Sequence, residues 1–165
     1  MDTNGQIRVV LTTDSSVGDS EADVALLEQV LEQIKTVRAD GGYDKRKFYH
    51  YASTPGIITI IPPRKDTLID RKGSFGTAGR YRNIAINYRR IGRWDWWEQN
   101  YHYHLRSLIE TEMYRLKQIT GERPQTRVFE RQEVETNIRV NILNRFTFIT
   151  RSLVTRFIQQ RHQKV

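Results

Sequence analysis

A short apolar run that ends abruptly at two prolines places the tightest constraint on how this chain folds. Ile57 to Ile61 are apolar or β-branched throughout, and Pro62-Pro63 follow at once. Such a run is typical of a strand buried on both faces of a parallel sheet, and proline cannot continue the hydrogen-bonded ladder. Two β-branched segments and two helical patterns precede it, and we predict strands at 7–13 and 36–39 and helices at about 20–35 and 44–51. Because parallel strands need crossover helices, this order predicts a right-handed parallel α/β unit.

Asp40 follows the second predicted strand directly and precedes Gly41-Gly42. Open α/β sheets place their ligands at the carboxyl ends of the strands, so a carboxylate there is a candidate for metal binding or catalysis. An ordinary turn is the alternative interpretation, because Asp-Gly pairs are common in turns.

Four polar residues share one face of a predicted helix that runs from about Asn100 to Ile119. With Tyr103 at zero and 100° per residue, Arg106 falls near ~300°, Lys117 near ~320° and Glu110 near ~340°. The opposite side carries an apolar stripe typical of a core-facing helix, made of Leu105, Leu108, Ile109, Leu116 and Ile119. A carboxylate flanked by a phenol, a guanidinium and an ammonium suits a site for metal ions and phosphate.

Two carboxylates of this helix have other interpretations. Glu110 is four residues after Arg106, a spacing at which exposed helical ion pairs are common. Glu112 falls within the apolar stripe, where an unpaired carboxylate is costly. We therefore expect Glu112 either to have a partner such as Arg115 or Arg145, or to mark decay of the sequence.

The charges are distributed unevenly along the chain. Residues 1–37 carry a net charge of −5, whereas residues 64–165 carry +11. A basic C-terminal part with a long basic, glycine-bearing loop at 64–80 predicts a surface that binds a polyanion, with solvated helix faces as the alternative. The absence of cysteine excludes disulfides, thiol catalysis and cysteine-ligated zinc. No apolar run of 18 residues and no signal-peptide pattern occurs, so we expect a soluble, non-secreted protein without membrane contact.

Four motifs together resemble one protein family. They are the turn Ala39-Asp40-Gly41-Gly42-Tyr43-Asp44, the stretch Ile60-Ile61-Pro62-Pro63-Arg64-Lys65, the helix with spacing Y-x2-R-x3-E-x6-K, and Arg131-Gln132 followed by Leu143-Asn144-Arg145. In this order they resemble the DDE transposases of bacterial insertion sequences, in the Y-R-E-K subgroup. The resemblance covers about residues 5–146.

The resemblance implies an α/β, ribonuclease-H-like fold with a helical C-terminal part, and metal-dependent DNA cleavage and strand transfer at the element's ends. It implies that Asp40 and Glu110 are the second Asp and the Glu of the catalytic triad, and that they bind Mg²⁺ or Mn²⁺ in a two-ion site. Arg106 and Lys117 would contact DNA phosphates, and Tyr103 would pack or hydrogen-bond beside them. The expected partners are the terminal repeats, target DNA and a second copy of the chain, in a bacterial cytoplasm and associated with the nucleoid.

The resemblance also implies that the first Asp of the triad lies on a strand upstream of residue 7. The fold would then be truncated at its N-terminus, and a separately encoded N-terminal part could supply the missing carboxylate. The alternative is an inactive, truncated remnant that only binds DNA or interferes with an intact transposase.

The rest of the chain gives coarser expectations. We predict a partial catalytic domain over residues 1–148, with a basic insertion or loop region at 64–100, and a basic tail at 149–165. Helices are expected at about 81–91 and 130–148. The three tryptophans at positions 94, 96 and 97 could pack at a helix start or stack on an unpaired base.

Overall fold

The computed structural model describes residues 1–13, 19–30, 34–53 and 56–162. These residues belong to two compact units. The central unit comprises residues 15–108, and the terminal unit combines residues 1–14 with residues 109–165.

The central unit contains a small parallel sheet connected through a helix. Its elements are α1 (Asp19–Glu28), β1 (Thr36–Arg38), α2 (Arg46–Ser53), β2 (Ile58–Ile60), α3 (Gly76–Arg90) and α4 (Trp94–Asn100). The two strands pair in parallel, with Thr36 opposite Ile58 and Arg38 opposite Ile60. The prediction of two parallel strands joined by a short helix is therefore confirmed. The predicted first helix ends at Glu28, and residues 31–33 of that prediction lie outside the described residues.

β2 is buried on both faces, as its sequence predicted. Ile57 and Ile61 pack into a cluster with Tyr49 and other side chains of α2 and α3. Ile60 points to the other side, into a second cluster with Ala85 and Trp97. Because side chains alternate along a strand, one short strand supplies apolar surface to both clusters.

The basic loop that follows β2 is held by buried polar side chains. One oxygen of Asp44 accepts hydrogen bonds from the Arg64 N–H and the Thr67 hydroxyl, both at 2.7 Å, and the other accepts from Arg82 Nε at 2.7 Å. Farther along, the Asn83 side chain binds both the N–H and the C=O of Asp70, at 2.8 and 2.9 Å. The loop predicted from the sequence is thus fastened at several points to the helices beside it.

α3 begins at Gly76, five residues before the start expected from the sequence. The glycines of this stretch suggested a continued loop, but Gly79 is required by packing. A Cβ at this position would lie 2.8 Å from the Cβ of Phe75 and 3.3 Å from Oδ2 of Asp70. The glycine therefore lets the loop approach the first turn of the helix closely.

The terminal unit is built from α5 (Ser107–Thr120), whose residues from 109 onward belong to it, and the long α6 (Phe129–His162). Ile7, Leu116, Val140 and Leu143 form its apolar core. The predicted helix at 130–148 is confirmed, and residues 149–162 of the predicted tail continue it. The predicted domain at 1–148 and its tail stay predictions.

Residues 7–13 form no strand in the described part of the chain, so that prediction was wrong. The side chain of Asn144 takes the place of a neighbouring strand at Ile7. Its Oδ1 accepts from the Ile7 N–H at 2.8 Å, and its Nδ2 donates to the Ile7 carbonyl at 2.9 Å. The Leu-Asn-Arg motif thus combines a fully buried leucine with an asparagine that satisfies the backbone of a distant segment.

Glu112 is buried and has a partner. Nη1 of Arg115 lies 2.7 and 2.9 Å from its two carboxylate oxygens, and the same nitrogen lies 3.2 Å from the Thr147 hydroxyl. This is the first of the two partners that the sequence suggested.

None of the helices in the described part of the chain has the length and apolar character that a membrane span requires.

We expect Asp44→Asn to lower the free energy of unfolding by about 3–5 kcal/mol, because the change leaves the Arg82 guanidinium, whose side chain is only 12% exposed, without its counter-charge. Burial alone would raise the pKa of Asp44, but Arg82, the Arg64 N–H and Thr67 hold it below the ordinary value of 3.8. A lowered pKa in the folded state stabilises the protein above about pH 4, and this contribution disappears as the pH falls through the folded pKa. Urea denaturation at several pH values measures both effects.

Asp66→Asn is the matched control, since Asp66 is exposed in the same loop. It should leave the unfolding free energy within about 0.5 kcal/mol of the parent. Equal effects of the two changes would contradict the role given to Asp44.

Candidate functional site

Asp40 lies just beyond the carboxyl end of β1, with an exposed side chain. Its Oδ1 accepts a hydrogen bond from the Gly42 N–H at 2.8 Å, so the residue caps the 3₁₀ turn Gly41–Tyr43. The carboxylate therefore has a defined orientation and remains open to solvent. The turn interpretation therefore describes this residue, and its role in a metal or catalytic site stays a prediction.

The two glycines after Asp40 have different surroundings. A Cβ on Gly42 would lie 2.9 Å from Oδ1 of Asp40, closer than real contacts allow. A Cβ on Gly41 would lie 3.4 Å from the Pro62 carbonyl, an ordinary contact. Gly42 alone of this pair is needed for the position of the Asp40 carboxylate.

The predicted continuous helix from Asn100 to Ile119 is wrong in its first half. α4 ends at Asn100, His102 adopts a left-handed conformation with φ of 52°, and Tyr103–Arg106 form a 3₁₀ turn before α5 begins at Ser107. A left-handed residue interrupts the α-helical hydrogen-bond ladder, which sequence periodicity cannot reveal. The calculated angular positions therefore do not apply to Tyr103 and Arg106.

The 3₁₀ turn nevertheless brings Tyr103 and Arg106 together. Residues three apart eclipse one another in a 3₁₀ helix, and the Arg106 guanidinium carbon lies 5.9 Å from the centroid of the Tyr103 ring. The ring also packs against a core cluster that contains Trp97, at 5.5 Å between centroids. The phenol and the guanidinium thus form one packed pair supported by the core.

The negative charge of Asp40 also acts on the phenol of Tyr103. Burial raises the pKa of Tyr103 above its ordinary value of 10, Arg106 opposes this shift, and the negative charges of Asp40 and Glu98 add to it. The structure therefore places Asp40, Tyr103 and Arg106 in one neighbourhood of the central unit.

Arg38 is a residue of this neighbourhood that the sequence interpretation missed. Its Nε donates to the His102 carbonyl at 3.1 Å, which fixes the left-handed residue immediately before Tyr103. Arg38 precedes Asp40 by two positions on an extended segment, so both side chains lie on the same side. That two-residue spacing from Asp40 was the only signal in the sequence.

A cleft of about 420 Å³ opens beside the pair. Its lining residues are Asp95, Glu98, Gln99, Tyr103, His104, Arg106 and Ser107. Glu98 accepts a hydrogen bond from Nε1 of Trp94 at 2.9 Å, which orients its carboxylate. The cleft is of mixed charge, with acidic groups on α4 and a cation on the 3₁₀ turn.

Glu110 and Lys117 belong to the terminal unit and are both exposed on α5. Seven residues of α-helix turn about 700°, so these two side chains share a face and are about 10 Å apart along the axis. Their predicted common face is confirmed. The opposite stripe is only partly confirmed, because Leu116 is buried whereas Ile119 is 43% exposed.

The tryptophans mostly serve packing. Trp97 is buried and stacks on Trp94 at 4.4 Å between centroids, and the Arg89 guanidinium lies 4.7 Å from the Trp94 ring. Trp96 differs, because it is 43% exposed and stacks on Tyr88 at 4.7 Å. Helix-start packing therefore describes Trp94 and Trp97.

The donors available for a metal are hard oxygens. Asp40 and Glu110 offer exposed carboxylates, the ligand type that Mg²⁺ and Mn²⁺ prefer. Over the described ranges, no group of three or more His, Cys, Asp or Glu side chains is arranged to hold a metal ion. The two carboxylates fit a divalent cation in chemical type.

We expect Asp40→Asn to lower the pKa of Tyr103, because the change removes a negative charge that disfavours the phenolate. Arg106→Ala should raise the pKa by removing the opposing cation. A pH titration followed by NMR of ¹³C-labelled tyrosine measures both shifts. Asp95→Asn is the control, since Asp95 lines the same cleft without being among the charges that act on Tyr103. Identical shifts for Asp40→Asn and Asp95→Asn would contradict the neighbourhood described above.

Comparison with known proteins identifies the family. The sequence matches the family model described as "Transposase DDE domain" over residues 1–145, a range that contains all five predicted site residues. No solved structure matches the chain significantly. This family implies a ribonuclease-H-like fold, DNA as substrate and the general use of divalent metals. The described residues are mostly helical and include a two-stranded sheet. The chain belongs to the DDE transposase family.

Proposed function

We propose that this chain is the catalytic part of a bacterial insertion-sequence transposase of the Y-R-E-K subgroup, which cleaves DNA at the element's ends and joins the strands to target DNA. The proposal rests above all on Asp40, an exposed carboxylate at the end of a parallel strand beside Tyr103 and Arg106, within a matched transposase domain. It extends the family assignment to a defined reaction and defined residues.

Asp40 and Glu110 are the proposed metal ligands, and Mg²⁺ or Mn²⁺ is the proposed cofactor. When bound, two such ions activate the attacking oxygen and stabilise the leaving oxygen of a phosphodiester. The protein's own contribution is to present carboxylates of fixed orientation. The hydrogen bond from Gly42 supplies that orientation at Asp40.

Arg106 and Lys117 are the proposed phosphate contacts. A guanidinium binds phosphate through paired hydrogen bonds, whereas an ammonium acts as a compact point charge. The Tyr103 ring packs against the Arg106 side chain, and its phenol is a hydrogen-bond donor at neutral pH, where tyrosine is protonated.

The active form is proposed to be a homodimer on paired ends. The assay for this function combines the chain, together with any further part of the same transposase, with Mg²⁺ and a linear duplex that carries the terminal repeats. If no cleavage occurs while DNA binding persists, the alternative of a DNA-binding remnant replaces the catalytic proposal.

In that assay we expect Asp40→Ala and Glu110→Ala each to lower the cleavage rate by more than about a hundredfold, because changes even one shell beyond a metal's ligands cost 10–100-fold. Binding to the same duplex should change little, since neither carboxylate contacts phosphate directly. Gel analysis of cleaved ends and fluorescence anisotropy measure the two quantities. Retained cleavage in both variants would exclude the assigned ligands.

A matched pair of variants in the turn tests whether the position of the Asp40 carboxylate, and not only its presence, matters for cleavage. Gly42→Ala displaces the Asp40 carboxylate without removing it, and a misplacement of this kind costs on the order of a hundredfold. Gly41→Ala in the same turn should leave cleavage near the parent rate. Equal rates for the two variants would show that the Asp40 orientation has no influence on the reaction.

We expect Lys117→Ala to lower the magnitude of the slope of log affinity against log salt concentration by about one, because each neutralised phosphate contributes about 0.9. Fluorescence anisotropy with a duplex of the element's end, at several KCl concentrations, gives this slope. Lys117→Arg keeps the charge and should keep the slope. An unchanged slope in Lys117→Ala would remove this lysine from the DNA interface.

A further inference from the structure

Two adjoining basic clefts line the fastened loop after β2, and neither is lined by a residue assigned to catalysis. The larger, of about 720 Å³, is lined by five cationic side chains and one carboxylate, that of Asp70. The smaller, of about 350 Å³, shares Leu68 and Arg90 with it and adds Arg64, Lys65 and Arg89, with Asp66 as its carboxylate. The shared residues make one continuous band of positive charge.

The carboxylate of the larger cleft, that of Asp70, is hydrogen-bonded to the backbone of its own loop. The Asp70 carboxylate accepts hydrogen bonds from the N–H groups of Lys72 and Phe75, at 3.2 and 3.3 Å. Both oxygens of this carboxylate therefore stabilise the turn of their own loop. Asn83 fixes the backbone of the same residue from α3.

The cations of this cleft differ in their availability. Arg82 is bound to Asp44, so it serves the fold. Arg71, Lys72 and Arg90 are exposed, and none of the three has a carboxylate partner within the described residues. Their charges are available to an anion from solution.

The hydrogen bonds that hold the basic loop in place favour the binding of an anion. A flexible basic loop would lose conformational entropy on binding, whereas a loop held by Asp44 and Asn83 presents its cations in place. Two contiguous open clefts with charges distributed along them fit a polymer of phosphates better than a small anion. Among the residues that line the two clefts, the aromatic one is Phe75, which is only 8% exposed and therefore offers little surface for base stacking.

We propose that these clefts bind the phosphodiester backbone of duplex DNA, as a second contact surface built from residues other than Tyr103, Arg106 and Lys117. Arg71, Lys72 and Arg90 supply the contacts, independently of base sequence. The inference rests on the proposed transposase function and adds a site to it.

The test uses the full chain and a random-sequence duplex of about 30 base pairs, with binding followed by anisotropy over a range of KCl concentrations. Lys72→Ala and Arg90→Ala should each lower the magnitude of the salt slope by about one. Asn83→Ala changes no charge, so it should weaken binding several-fold while leaving the slope unchanged. Lys35→Ala, an exposed cation outside both clefts, should change neither quantity.

Unchanged slopes for both Lys72→Ala and Arg90→Ala would overturn this inference. If Lys117→Ala still lowered the slope, the proposed function would stand without the second surface. If the cleft variants lowered it and Lys117→Ala did not, the second surface would stand and the assignment of Lys117 would fall. Effects confined to single-stranded DNA of the same sequence would also overturn the duplex assignment. Urea denaturation confirms that each variant is folded.

Discussion

Within the central unit, the buried carboxylate of Asp44 accepts hydrogen bonds from three separate places in the chain: the Arg64 backbone, the Thr67 hydroxyl and the Arg82 side chain. The Arg82 guanidinium also lies 5.0 Å from the Tyr49 ring, in the centre of the main apolar cluster. A buried carboxylate is tolerated only when its charge and lone pairs are satisfied, so the loop, α3 and the core must take compatible positions. The position of the first residues of the basic loop, from Arg64 to Thr67, depends on these hydrogen bonds to Asp44.

The two aspartates of the Ala-Asp-Gly-Gly-Tyr-Asp turn therefore have different roles. Asp40 points to solvent and is oriented by one backbone N–H, whereas Asp44 points inward and organises the fold. Because Asp40 and Asp44 cap the two ends of the same 3₁₀ turn, a disturbance of Asp44 would reach Asp40 through this turn. Asp44 thus supports the position of the proposed metal ligand Asp40 without taking part in the proposed reaction.

The sequence predicted the parallel strands, α2 and the burial of β2, because hydrophobic periodicity and proline report local geometry and burial directly. It misjudged residues 7–13, where β-branched residues favour an extended backbone but a side-chain amide, Asn144, supplies the hydrogen bonds. It also missed the break at His102, because a positive φ at a residue other than glycine leaves no trace in polarity. The contacts of Arg38 with His102 and of Asp44 with Arg82 were missed for a related reason, because these partners are 64 and 38 residues away in the sequence.

The observed break divides the four-residue signature into two parts that follow different helical periods. Tyr103 and Arg106 are aligned by three residues per turn, and Glu110 and Lys117 by 3.6. Within each part an inserted or deleted residue would rotate one partner away by 100° or more, so the spacings of three and seven are geometrically fixed. The interval from Arg106 to Glu110 contains the change from one period to the other. Searches for distant relatives would therefore gain by treating Y-x2-R and E-x6-K as two rigid patterns joined by a gap of adjustable length.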